Sequence, residues 1–357
     1  MSNRVAIITD THFGAGNDSE VLFNYFEKFY TGTFFPSIDE EKIDTLLMLG
    51  DTFDRRRFGN YQTIHKAKEI FFNPLKERGI NVFMVIGNHD CYFKNTNKVN
   101  SPRIVLSEYD NITIIEKPST IDVNGTDVCF IPWIPEDEES QAEAKNELKT
   151  TSSKLCMGHL EVAGFAMWRN KEGEEGETPR ELFNKFDMTF SGHYHHKNDD
   201  GKVFYLGNPY EMTWNDYDDP RGFHYFDLQT HELEFVENPN KLFRKVVYDG
   251  ETVPDLDSDE LKDARVKLIV KNKDNIMKYE KFFKKLESMD HCDLKVEDVT
   301  VLNVDDINLQ DTIEIGDSLQ IIGKYIDKIE SYDKNKKSDL KNFMKNLYTD
   351  AMEKEVL

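Results

Sequence analysis

Five short segments of the 357-residue chain carry residue types suited to holding divalent cations. Asp10 and His12 lie in IITDTH, Asp51 in LLMLGDTFD, Asn88 and His89 in FMVIGNHD, His159 at the end of LCMGH, and His193 and His195 in MTFSGHYH. Each group follows an apolar run, and in four of the five a glycine stands directly before the first polar residue, where the chain must turn sharply. Two divalent ions about 3.5–4 Å apart can clamp a phosphate and deliver water to it. Such a pair needs a carboxylate to bridge it, imidazoles at its sides and a neutral amide oxygen. Asp51 is the natural bridge. Taken singly, DxH or GD after a strand is more often a turn with a helix cap, and His159 alone is more often a satisfied core histidine. The ordered series DxH, GDxxD, GNHD, GH and GHxH, all at strand ends, selects the two-metal reading. The donors suit manganese or iron better than calcium and exclude neither magnesium nor zinc.

The elements that must position these residues are short apolar runs at Val5–Thr9, Thr45–Leu49, Asn81–Ile86, Thr113–Ile115, Val128–Ile131, Lys154–Met157, Met188–Phe190 and Val203–Leu206. Runs this short and this rich in Val, Ile, Leu and Phe read as buried strands. Helical spacing appears over 19–30, behind the cap candidate Ser19, and from Tyr61 through Ile64, Ala67, Ile70 and Phe71 to Leu75, stopping at Gly79. The alternation predicts an α/β sandwich with helices on its outer faces. Residues 135–147 and Lys171–Glu177 are acidic and read as exposed loops or helix faces. Beyond 246, a strand at Arg265–Val270, a basic amphipathic helix at Met277–Leu286 and a strand at Asp293–Val299 form a small βαβ-like unit. A polar linker at 301–312 leads to two helical patterns, Ile313–Ile329 and Leu340–Met352. The expected domains are 1–245, 246–300 and a helical segment 313–357.

The chain carries 67 acidic against 45 basic residues, a formal charge of −22. That balance argues against a polyanion ligand, whose binding rests on a basic surface. The imbalance is uneven, however: −4 over residues 1–134, −11 over 135–250 and −7 over 251–357. Arg55, Arg56 and Arg57 follow GDTFD directly, and Lys94, Lys98 and Arg103 follow GNHD. Two divalent ions would add positive charge where a phosphate must sit. These six residues are the phosphate-contact candidates. Cys91, Cys129, Cys156 and Cys292 are widely spaced and read as free thiols of a reducing compartment. No run approaches a membrane span and no signal-peptide pattern opens the chain, so a cytoplasmic location is expected.

The five-motif series resembles that of the calcineurin-like metallophosphoesterases. Within that superfamily, Phe130–Trp133 (FIPW) and the stretch Tyr205–Phe226 (YLGNPYEMTWNDYDDPRGFHYF) look like the matching parts of SbcD-type double-strand-break repair nucleases, most similarly those of tailed phages. The resemblance implies a four-layer sandwich, two mixed sheets flanked by helices, with a small α+β cap that binds DNA and a C-terminal helical tail. It implies one manganese ion on Asp10, His12, Asp51 and His195 and another on Asp51, Asn88, His159 and His193, with magnesium as the alternative metal. His89 would be the general acid for the leaving 3′ oxygen. Archaeal members carry a histidine where this chain has Asp54, which therefore reads as an orienter of a ligand. The implied activity, for which the six basic residues become DNA-contact candidates, is 3′–5′ exonuclease on duplex DNA and endonuclease on single strands, in recombination and end processing beside an SMC-like ATPase. That partner would be gripped by the tail stripes Ile315, Leu319, Ile322, Ile326, Ile329 and Leu340, Phe343, Leu347, Ala351. Homodimerisation is implied through 61–75 with 102–109. The rival readings are a small-molecule or cyclic-nucleotide phosphodiesterase, against which the long segment after Arg221 speaks, and an inactive scaffold, which a missing ligand would signal.

Overall fold

An uninterrupted aliphatic strand such as Thr45–Leu49 (TLLML) is stable only where both faces are covered, and all five of its residues are buried. The computed structural model describes residues 2–165 and 178–300, with 326, 336–338, 340–341 and 343–344. The stretch Lys171–Glu177, the linker 301–312 and most of the tail 313–357 lie outside the described residues. The chain divides into two compact units, one of Met1–Met212 with Asp218–Asn240, the other of Thr213–Tyr217 with the chain from Lys241 onward.

In the first unit, strands Arg4–Ile8, Thr45–Leu49, Asn81–Val85 and Ile112–Ile115 run parallel, and Gly222–Asp227 and Leu233–Glu237 extend the sheet antiparallel beyond the first strand. A second mixed sheet contains Thr126–Ile131, Leu155–Gly158, Met188–Ser191 and Val203–Tyr205 in parallel, edged by Ser119–Val123 and Asn198–Asp199. Ile7, Leu47 and Val85 of the first sheet meet Val128, Phe130, Met157 and Phe190 of the second in one fully buried layer. The chain thus has the expected α/β architecture of two mixed sheets flanked by helices.

Helix Glu20–Phe29 starts at Ser19, whose side chain accepts from the Leu22 N–H at 3.4 Å. The helix opening at Tyr61 is capped by Asn60 and passes through a π-turn at Lys68–Phe72. The extra residue in that turn lets the consecutive Phe71 and Phe72 both point inward, and both are 0 % exposed. They join Phe13, Tyr30 and Phe34 in an aromatic layer, each ring contributing about 1.5–3 kcal/mol by burial. The acidic stretch 135–147 lies mostly in helix Glu138–Thr150, capped by Asp137 and anchored by Ala144 and Leu148.

The second unit is a parallel sheet of Phe243–Tyr248, Arg265–Val270 and Asp293–Asp298, with helix Ile276–Glu287 burying Phe282 and Leu286 among Tyr248, Val266, Leu268 and Val270. The strand Phe243–Tyr248 crosses the expected boundary at 245/246, because it buries Phe243, Val246 and Tyr248 and pairs with Arg265–Val270 from Phe243 onward. Among the described residues no helix is long and apolar enough to cross a membrane, and all four cysteines are free, with only Cys292 exposed.

Candidate metal centre

Parallel strands end at one edge of a sheet, and the chain leaves each strand there by a loop. In the first sheet those loops bring Asp10, His12, Asp51, Asn88 and His89 together, and in the second His159, His193 and His195. Within the first set the Asp10 N–H donates to the Gly50 carbonyl at 3.1 Å, and the His193 N–H, donating to Asp10 Oδ1 at 3.0 Å, joins the second set to it. Asp10, His12, Asp51 and His193 all adopt left-handed backbone, with φ of 52°, 40°, 51° and 81°. Each such residue costs about 1–3 kcal/mol, and four at one place mark a geometry that the surrounding fold imposes. Room is equally tight. A Cβ on Gly50 would lie 2.3 Å from His159 Nδ1, and one on Gly192 2.0 Å from Thr9 Oγ1.

Two groups of donor atoms share Asp51. In the first, His12 Nε2 and His195 Nε2 face each other at 3.1 Å, with Asp10 Oδ1 4.0 Å from His195 Nε2. In the second, Asn88 Oδ1 lies 2.9 Å from His159 Nε2 and 3.1 Å from His193 Nδ1. Asp51 Oδ2 stands 3.6 Å from His12 Nε2 and 3.3 Å from His159 Nε2, while Asp51 Oδ1 accepts the His89 N–H at 2.8 Å. One carboxylate oxygen is therefore aimed between the two groups. Asp10, His12 and His195 form one cluster that could hold a cation, and Asp51, His159 and His193 another. Convergence of nitrogen and oxygen donors at such distances is what two cations would satisfy, so the residues present fit a dimetal site.

The supporting contacts come from inside and outside the motifs. Asp54 Oδ1 sits 3.1 Å from His12 Nδ1, an ion-pair contact that turns His12 Nε2 toward the centre. His89 Nδ1 lies 2.6 Å from the Asp54 carbonyl, which only accepts, so Nδ1 carries the proton. His159 Nδ1 donates likewise to the Leu49 carbonyl at 2.8 Å. Three supports were not singled out from the residue pattern. Asp90, fully buried, accepts the N–H groups of Thr52, Phe53 and Gly87 and so ties two ligand loops together. Arg221, 3 % exposed, donates to the His195 carbonyl and to Asn208 Oδ1 and pairs with Asp219 at 2.7 Å. Tyr210 donates to the Thr11 carbonyl. An acidic residue ending GNHD was visible in the sequence, but nothing local marks Arg221 or Tyr210 as reaching loops about 200 and 26 residues away in the chain, respectively for Tyr210 to Thr11 and Arg221 to His195.

Burial alone would push the His12 imidazole down, but Asp54 and Asp51 raise it to about 9. His159 behaves alike: burial opposes charge, and Asp51 carries it to about 9. His193 is driven down to about 3 by burial and by His159, and His195 falls well below its usual value through burial, His12 and Arg221. Asp51 is held well below the carboxylate range by His159 and His89 despite burial, and Asp90 rises to about 6 through burial and the nearby Asp51. Each cluster thus pairs one cationic with one neutral imidazole.

The six basic candidates divide. Arg55 pairs with Asp18 at 3.2 Å and Arg103 with Glu116 at 2.5 Å, so both are engaged within the fold. Arg56 is half-buried, while Arg57, Lys94 and Lys98 are exposed on the loop after Asp51 and the hairpin Cys91–Asn100.

Residues 3–197 match the family described as calcineurin-like phosphoesterase. Exonuclease subunit 1 of Enterobacteria phage T4 is 29% identical over 310 residues, spanning 87% of this chain and 88% of that protein. The DNA double-strand break repair protein Mre11 of Sulfurisphaera tokodaii is 28% identical over 199 residues, 53% of this chain and 48% of that protein. A solved structure described as a novel archaeal phosphodiesterase aligns with a TM-score of 0.33 at 12% identity, covering 66% of this chain and 99% of that one.

Proposed function

We propose that this chain, which belongs to the calcineurin-like phosphoesterase family, is a metal-dependent DNA nuclease of the SbcD type. The observation that carries the reading is Asp51 Oδ2, aimed between two clusters of imidazole and oxygen donors that no single ion could use together. Asp10, His12, Asp51 and His195 would hold one ion, and Asp51, Asn88, His159 and His193 the other, with manganese preferred over magnesium. When bound, the ions supply a Lewis-acid clamp on the phosphate and favour loss of a proton from the attacking water. The chain's own residues do the rest. His89, its Nδ1 committed to the Asp54 carbonyl, keeps Nε2 for the leaving 3′ oxygen. Asp54 orients His12, and Arg57, Lys94 and Lys98 supply exposed positive charge beside the motif loops.

The second unit supports a DNA contact of its own. Lys245, Lys267 and Lys295 stand side by side across three strands in register. Lys245 lies over the Tyr217 ring at 4.2 Å, and Lys267 lies over the Trp214 ring at 4.5 Å and 3.8 Å from Glu297, so the exposed Lys295 is the member of the row that a DNA phosphate would meet. The 61–75 helix and the 102–109 segment pack together through Lys68–Glu108 and Phe72–Tyr109 and expose Tyr61 and Ile104, which suits a homodimer face. An SMC-like ATPase gripped by the tail, 3′–5′ exonuclease and single-strand endonuclease action in recombination and repair, and a cytoplasmic site complete the reading.

The test gives the purified protein with Mn²⁺ end-labelled duplex DNA and an aryl phosphodiester, with and without the ATPase. Cleavage of DNA is expected, and cleavage of the small ester alone in every combination sinks the nuclease reading in favour of a small-molecule phosphodiesterase. His89→Ala is expected to keep both metals and lose about 10²–10⁴-fold in turnover; loss of metal would reassign His89 as a ligand.

A further inference from the structure

One cleft borders the metal centre. It shares His159 with the centre. Its floor is apolar, made of the buried Ala144, Leu148 and Leu160. Trp133 forms a wall, its ring 5.2 Å from that of His193 and 6.2 Å from that of His159. The main chain that carries the indole is anchored, because the backbone N–H of Trp133 donates to the Ile86 carbonyl at 2.9 Å and its backbone carbonyl accepts from Asn97 Nδ2 at 2.8 Å. Gln141, half-buried, brings the one side-chain amide to the lining.

A slot with an aromatic wall and an aliphatic floor, with Gln141, Lys145, Glu161 and Thr178 at its polar margin, suits a flat heteroaromatic group that needs stacking and edge hydrogen bonds. Sugar or phosphate would leave the apolar floor uncovered. A nucleotide whose phosphate rests on the centre has its base within reach of a cleft that shares His159. We propose that the cleft receives one unstacked nucleobase of the strand being cut, stacked on Trp133 and bonded at its edge by Gln141. The proposal rests on the nuclease reading and deepens it. A base in this slot has left the duplex, so the cut falls on frayed ends and single strands rather than on intact internal duplex.

The test uses the full chain with Mn²⁺ and a set of end-labelled oligothymidylates in which a tetrahydrofuran abasic unit replaces each nucleotide around the cut in turn. The wild type is expected to show one position where base removal lowers kcat/KM on the order of tenfold or more. Gln141→Ala is expected to shrink that penalty. Lys145→Trp, a plug on the exposed rim of the cleft, is expected to bring the intact oligonucleotide down to the abasic rate while methyl p-nitrophenyl phosphate, which has no base, is hydrolysed at the wild-type rate with metal content unchanged. Equal cleavage of every abasic substrate by the wild type overturns the proposal while leaving the nuclease reading in place. A parallel fall of both substrates in Lys145→Trp overturns it too, since the cleft would then be a support of the centre. Hydrolysis of the base-free ester without any cleavage of DNA removes the nuclease reading and the proposal together.

Discussion

The two halves of the metal centre are built by different means. His159 in the second half is 0 % exposed and is held by the carbonyl of Leu49, the last residue of a central strand. Its fixing contact belongs to the core. In the first half, His195 has 26 % of its side chain exposed, and its loop is held from elsewhere by Arg221 on its carbonyl. Tyr210 holds Thr11, between Asp10 and His12, and Asp54 holds the His12 ring. The second half inherits its rigidity from the sheets, whereas the first depends on latches from the 208–221 stretch and from Asp54. Mutations should therefore separate the two, except at the shared carboxylate.

Asp51→Asn attacks what the halves have in common and carries the largest expected effect. Both ions should be lost, with phosphodiester hydrolysis down at least about 10³-fold; one ion retained per chain, measured by elemental analysis, would show that Asp51 does not bridge. Next come the latches. Asp54→Ala and Arg221→Met should weaken one ion by about 10–100-fold and spare the other, giving a two-phase metal titration where the wild type is nearer one. Arg221→Met should also cost about 1.5–3 kcal/mol of stability, because Asp219 loses a charge-assisted hydrogen bond at 2.7 Å while keeping His196 Nδ1 at 2.8 Å. Equal weakening of both ions would erase the distinction between the halves.

The pH dependence is smaller and should touch both halves alike, since each holds one imidazole raised to about 9. A raised folded-state value means that the stabilisation by His12 and His159 is complete below the ordinary histidine value and is lost as pH rises through about 9. Metal-stripped protein should thus melt lower at pH 9.5 than at pH 7. Metal must displace those protons, so affinity should climb over the same interval. Proton release measured on Mn²⁺ addition at pH 7 tests this, and release near zero would contradict it. The smallest effect is expected outside the centre. Arg57→Ala or Lys94→Ala should each reduce the slope of log affinity for DNA against log salt by about one, while Arg103→Ala, its partner being Glu116, should not.

The strands and the donor motifs were legible because a buried parallel strand must be a continuous apolar run, and residues that are to converge at its end must follow at once where it stops. Asp10, Asp51, Asn88, His159 and His193 could be read that way without any contact being known. The antiparallel strand Gly222–Asp227 was not legible as a strand: His224 interrupts its apolar pattern, and only pairing with Arg4–Ile8 defines it. The basic candidates illustrate the same divide. Arg55 and Arg103 look like Arg57 in the sequence, yet Asp18 and Glu116 engage them in the fold.

The sequence by itself determined the chemistry, because donor types and their places at strand ends are local properties that spacing records. Tertiary structure alone decided which oxygen of Asp51 faces both clusters, that Arg221 and Tyr210 latch the first of them, and that Trp133 walls a cleft beside the second. Those are relations between segments far apart in the chain. They arise when two sheets pack face to face, and no local pattern encodes them.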